Sequence, residues 1–227
     1  TSNADTYNTA VGFDAGNDIT TGTANTIVGG LAGDKLTDAD NNVVMGYLAL
    51  SADTLGSRSV AIGAAALTVQ NFTSATNAHN TAVGYNAGKA VTTGTSNTLI
   101  GAVSGDALTT GSNNTALGYN SLGTNTTGSQ NVAIGREALE KSTTSSNNVA
   151  VGYQALEEST TGNNSVAVGY AALASSTTAA SNTAVGYASL SANTTGAYNA
   201  AVGQGALDAN TTANYNSALG YDALGAN

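Results

Sequence analysis

Thirteen glycines recur along this chain, at positions 12, 29, 46, 63, 84, 101, 118, 135, 152, 169, 186, 203 and 220. Eleven of the twelve intervals between them are 17 residues long, and the twelfth is 21. A unit this short cannot bury a core by itself, so its copies must stack on one another. Residues 1–227 therefore form a single repeat solenoid, with a four-residue insertion in the coil that spans residues 63–84.

Aligned on the glycine, the unit reads Asn, Thr or Val, Ala, Val, Gly, Tyr, any residue, Ala, Leu, with Thr-Thr-Gly further on. The residue before the glycine is aliphatic in every copy, and the one two places earlier is mostly Val or Thr. Such alternation predicts a short strand with β-branched residues on one face and a small residue on the other. The frequent Gly and Asn argue against helices of useful length. The Tyr-x-Ala-Leu segment after the glycine is expected to be a second short extended piece. Val11, Ile62, Ile134, Val151 and Val168 are the expected strand core, joined by Leu139, Leu156 and Leu173. The expected fold is all-β: a parallel β-solenoid of about thirteen 17-residue coils. At roughly 4.7–4.9 Å per coil the rod would be about 60 Å long.

A composition with 28 Gly, no Pro and only 8% charged residues could also describe disordered sequence. A volume exchange argues otherwise. Four residues after the glycine, nine copies carry Leu, and four carry Gly instead: Gly16, Gly33, Gly88 and Gly105. In those four, and only those, an aliphatic residue appears three places later: Ile19, Leu36, Val91 and Leu108. One buried slot per coil is filled from either of two backbone positions, and an empty slot would cost about 2–5 kcal/mol. Asn opens eleven of the thirteen coils, with Ser59 and Ser165 as exceptions, which predicts a stacked amide ladder.

Few residues carry chemistry. The one histidine, His79, lies in a loop beside the insertion, and no phosphate-binding Gly-Lys-Ser/Thr sequence occurs. Neither an enzyme activity nor a cofactor or metal is expected. Fourteen acidic against five basic residues, a net charge of -9, speak against a nucleic-acid partner. No apolar run approaches the roughly 18 residues of a membrane helix, so no direct membrane insertion of this segment is expected. Glu140 and Glu157 sit in equivalent places beside Lys141 and Glu158, where a Lys141–Glu158 surface ion pair is expected. Insertions in solenoids often form binding loops, which makes Phe72, Thr73 and Asn77 the candidate ligand contacts. Phe72 packing back on the rod is the plainer alternative. Thr126, Thr143, Thr160, Thr177 and Thr194 form a threonine ladder, the basis of a second hypothesis in which a single chain binds ice.

The strings Ser59-Val60-Ala61-Ile62-Gly63, Asn131-Val132-Ala133-Ile134-Gly135 and Ser165-Val166-Ala167-Val168-Gly169 resemble the head repeats of YadA-like trimeric autotransporter adhesins. The longer unit is similar to repeat shafts of phage tail fibres. This resemblance covers the whole chain, although the family's head repeat is nearer fourteen or fifteen residues. It implies a left-handed β-roll, three chains side by side, and a fragment of a longer fibre or adhesin on a bacterial outer surface or phage virion tail. A host-surface glycan or an extracellular protein would be the ligand. Independently, each coil offers two apolar sets, the Val-x-Val face and the Tyr-Ala-Leu segment. A lone rod would leave part of that surface exposed for partner chains to cover.

Overall fold

In the computed structural model, which describes residues 6–225, thirteen three-residue strands stack into one parallel sheet, from Thr9–Val11 at one end to Ser217–Leu219 at the other. The chain is all-β, with no helix among the described residues. Each strand pairs in register with the equivalent strand of the next coil, as Val149, Ala150 and Val151 do with Val166, Ala167 and Val168. The long interval leaves this register intact, since Val60 and Ile62 still face Thr81 and Val83. Its extra residues go to the far side of the coil, where Thr76–Asn77 pairs with Gly56–Ser57 in a separate two-stranded sheet.

The signature glycine is required by both conformation and space. Gly12 has φ +137°, and a Cβ there would stand 2.5 Å from the carbonyl oxygen of Gly29 in the next coil. The segment that follows is not extended. Its second and fourth residues are left-handed, as at Gln154 and Leu156 with φ 54° and 53°. A third left-handed residue precedes the buried Asn, for instance Asn147 with φ 60°. These corners fold Tyr-x-Ala-Leu into a turn, which corrects the expectation of a second strand. Left-handed Leu is strained by about 1–2 kcal/mol, and burial of its side chain is what holds it there.

The strand faces are the reverse of the expectation. The small middle residue points inward, and Ala61, Ala133, Ala150 and Ala167 are fully buried. The β-branched residues flanking it point outward. Val11, in the end strand, is 60% exposed and Val43, within the rod, 38%, while Ile62, Ile134, Val151 and Val168 are half-buried. The five valines and isoleucines expected inside are therefore not core of the single chain. The physical reason is width: the inward-turned Leu of the common coil fills most of the lumen and favours a methyl opposite, with Val44 beside Leu50 the one larger exception. Leu139, Leu156 and Leu173 do occupy that core.

The slot exchange is visible atom by atom. Leu36, Val91 and Leu108 are fully buried, and a Cβ on Gly33 would lie 2.9 Å from Leu36 Cδ1. Two enlarged strand residues share the task. A Cβ on Gly88 or Gly105 would meet Leu99 at 2.7 or 2.8 Å, and Ile27 lies beside Gly16 and Gly33.

Candidate functional site

Two polar ladders hold the coils to one another. In the first, the buried Asn of each coil accepts the backbone N–H of its successor. Asn148 N donates to Asn131 Oδ1 at 3.1 Å. Its own amide closes the coil, as Asn131 Nδ2 donates to the Ser145 carbonyl at 2.8 Å. A second ladder was not anticipated. Ser112 N donates to Ser129 Oγ and Ser129 N to Ser146 Oγ, both at 3.0 Å. Short polar side chains in the last position before each corner were its signal in the sequence.

Gln70, in register with Asp53 just before the insertion, repairs a break in the first ladder. Ser59 has no amide, and Gln70 supplies one: Gln70 Nε2 donates to Ser59 Oγ at 3.1 Å and to Asp53 Oδ2 at 2.7 Å, while Gln70 Oε1 accepts from Asn80 Nδ2 at 2.8 Å. Asp53 is fully buried and also accepts the backbone N–H groups of Gly56 and Phe72. Burial pushes its carboxyl above the ordinary range, opposed by those hydrogen bonds. Phe72 is only 6% exposed, which corrects its place among the candidate ligand contacts: its ring packs into the rod. Thr73 and Asn77 are exposed, and Asn77 is held by the small sheet opposite Ser57.

The adjacent threonines face different ways. The hydroxyls of Thr126, Thr143, Thr160, Thr177 and Thr194 donate to the carbonyl of the equivalent Thr one coil on, at 3.0–3.1 Å. Their neighbours Thr127, Thr144, Thr161, Thr178 and Thr195 form the exposed row. His79 is exposed at a left-handed corner, φ 52°. Lys141 pairs with Glu158 as the spacing predicts, and Lys35 with Asp18 at 3.0 Å.

Two outer features remain. The first is the aliphatic stripe formed by the residue one place before each glycine, along the whole thirteen-stranded sheet, with Val, Thr, Ala or Ser beside it two places earlier. The second is the column immediately after the glycine. There Tyr153, Tyr170 and Tyr187 stack with centroids 5.4 and 5.0 Å apart, and the Arg136 guanidinium lies 5.7 Å from both the Tyr119 and Tyr153 rings. No family model, curated protein or solved structure matches the chain.

Proposed function

We propose that this chain is the rod of a bacterial surface adhesin or phage tail fibre. In this reading it is assembled as a side-by-side homotrimer and presented outside the cell or on the virion tail. The observation that carries the reading is the outward aliphatic stripe. Monomeric soluble proteins rarely expose contiguous apolar patches larger than a few hundred Å², whereas this stripe runs over thirteen strands. Its occupant must repeat at the same coil spacing to bury it throughout, and another copy of the chain does so by construction. Stacked coils tied by two polar ladders make a stiff spacer. Attachment would fall to exposed side-chain rows or to the Thr73 loop.

Solution mass tests the assembly. A mass near three times 22.1 kDa supports the trimeric rod, and a mass near 22.1 kDa refutes it. The ice-binding alternative depends on free, regular hydroxyls. The Thr126 row has its hydroxyl protons committed to backbone carbonyls, which leaves the single Thr127 row and weighs against it. Thermal hysteresis from the purified chain would reverse that judgement.

A further inference from the structure

We propose that the aromatic column between Tyr47 and Tyr119 is a binding site for a neutral hexopyranose glycan, with sugar rings sandwiched between tyrosines two coils apart. This inference rests on the adhesive reading above and names the ligand class of that rod.

The argument starts from an alternation along one column. Tyr47, Tyr85 and Tyr119 are separated by Ala64 and Ala102, one small residue per gap. The coils carrying them are equivalent and in register, including across the insertion: Ala65 N donates to Tyr47 O, and Asn86 N to Ala64 O. Where tyrosines occupy consecutive coils, their rings stack 5.0–5.4 Å apart and within 28° of parallel. The rings of this column thus stand across the rod axis, one coil step apart. Where an alanine intervenes, facing rings are two steps apart, about 9–10 Å. Less the thickness of the rings, that gap is too wide for the rings to touch. It fits one further ring of about their own thickness, floored by a methyl group.

Exposure agrees with open faces. Tyr85, with an alanine on either side, is 61% exposed, against 48% for Tyr170 in the continuous stack. Exposed phenol faces are partially negative and attract weakly positive C–H groups, which a pyranose presents on its two faces. Its equatorial hydroxyls then project outward, towards the phenol hydroxyls and the Asn86 and Asn120 amides, of which Asn120 Nδ2 already donates to Glu140 Oε1 at 2.8 Å. These two asparagines directly follow Tyr85 and Tyr119 and are held at left-handed corners with φ 55° and 54°. A nucleobase would also fit between rings, but it brings a phosphate towards a chain of net charge -9. An uncharged sugar avoids that repulsion. The stack from Tyr119 through Arg136 to Tyr187 has no such gaps, so it makes the internal control.

Because the chain has no Trp and seven of its ten Tyr stand in this column, tyrosine fluorescence reports mainly on the column. The experiment is a titration of the full chain with cellohexaose and with chitohexaose, read by fluorescence and by calorimetry. Saturable binding of at least one is expected, weakened about tenfold in Tyr85→Ala and unchanged in Tyr170→Ala. The decisive variant is Ala64→Tyr/Ala102→Tyr, which adds aromatic surface but closes both gaps into a continuous stack. It is expected to abolish binding. No binding of either sugar, equal losses in Tyr85→Ala and Tyr170→Ala, or tighter binding by the double tyrosine variant would each overturn the site. So would capture of decaproline in place of both sugars, which would make it a peptide groove. Trimeric mass without sugar binding sinks these slots and leaves the rod standing. Single-chain mass with gap-dependent sugar binding does the reverse.

Discussion

The inner and outer faces of the same three-residue strand obey different rules, and the contrast shows where this chain keeps its stability and where its surface. Inside, every position is a matter of volume. A methyl at Ala150 faces the strained but buried Leu156, and where the Leu is missing, Leu36 or Val91 returns its bulk from three residues away. Outside, one residue along, Val151 lies in a row of aliphatics that nothing in the single chain covers fully. The largest expected effect follows directly. Ala150→Asp buries an unpaired charge, at a penalty of several kcal/mol, and should abolish cooperative unfolding. Val151→Asp should keep the fold and its melting transition but reduce the solution mass to that of one chain. If both variants unfold alike, the division into inner and outer faces is wrong.

The exchange coils sharpen the comparison. Gly33→Leu alone overpacks against Leu36 and should cost about 1–3 kcal/mol. Leu36→Ser alone leaves a cavity and should cost about 2–5 kcal/mol. Together they move the bulk from position 36 back to position 33, so denaturant unfolding of the double variant should recover part of both losses, the remainder reflecting the contact of the new side chain with Ile27. Simple additivity of the two costs would mean that the slot is not shared.

This exchange is also the clearest case of structure legible in sequence. Gly33 with Leu36, and Gly88 with Val91, are correlated by a volume that has to be filled once, so the pairing is written into the chain. The Asn ladder was legible because a period of 17 places identical amides one strand spacing apart, and Lys141–Glu158 followed from the same arithmetic. The orientation of Val-Ala-Val was not. Three residues alternate equally well either way, and hydrophobicity favours putting Val inside. The lumen width, narrowed by Leu156 at a left-handed corner that Leu rarely occupies, favours Ala there, although Val44 fits beside Leu50. The role of Gln70 was hidden for another reason. It repairs the gap at Ser59 from eleven residues away, across the ordinary Leu67–Gln70 turn, from a slot that other coils fill with an aliphatic or a small polar residue.

The amide ladder gives an intermediate effect. Asn131→Ala removes the acceptor for Asn148 N–H and the donor to the Ser145 carbonyl. Leaving buried groups unpaired costs about 1–3 kcal/mol each, less where water can reach them. The opposite change tests the same logic. Ser165 already accepts the Asn182 N–H through its hydroxyl, and Asn there would add the coil-closing donor that the other copies have. Ser165→Asn should therefore raise the melting temperature slightly, while Asn131→Ala lowers it. A neutral Asn131→Ala would demote the ladder to a by-product of stacking.

The smallest effect concerns protons, and its sign is unusual for an acidic protein. Asp53, Asp106 and Glu157 all have carboxyls pushed up, in each case first by burial. At Glu157 the nearby Lys141 opposes the rise and the neighbouring glutamates add to it. A carboxyl with a raised pKa binds its proton more tightly in the folded chain than in the unfolded one. Its stabilisation is therefore full below the ordinary carboxylate pKa and is lost as pH rises through the folded value. Protonation also relieves the self-repulsion of a chain of net charge -9. Thermal melts from about pH 7 down to about pH 4.5 should thus show a rise on the order of 2 °C. The rise should be smaller in Asp53→Asn, whose interior cannot titrate. A melting temperature that falls steadily over that range would mean that the hydrogen bonds from Gln70, Gly56 and Phe72 outweigh burial at Asp53. The interior would then be holding a true carboxylate.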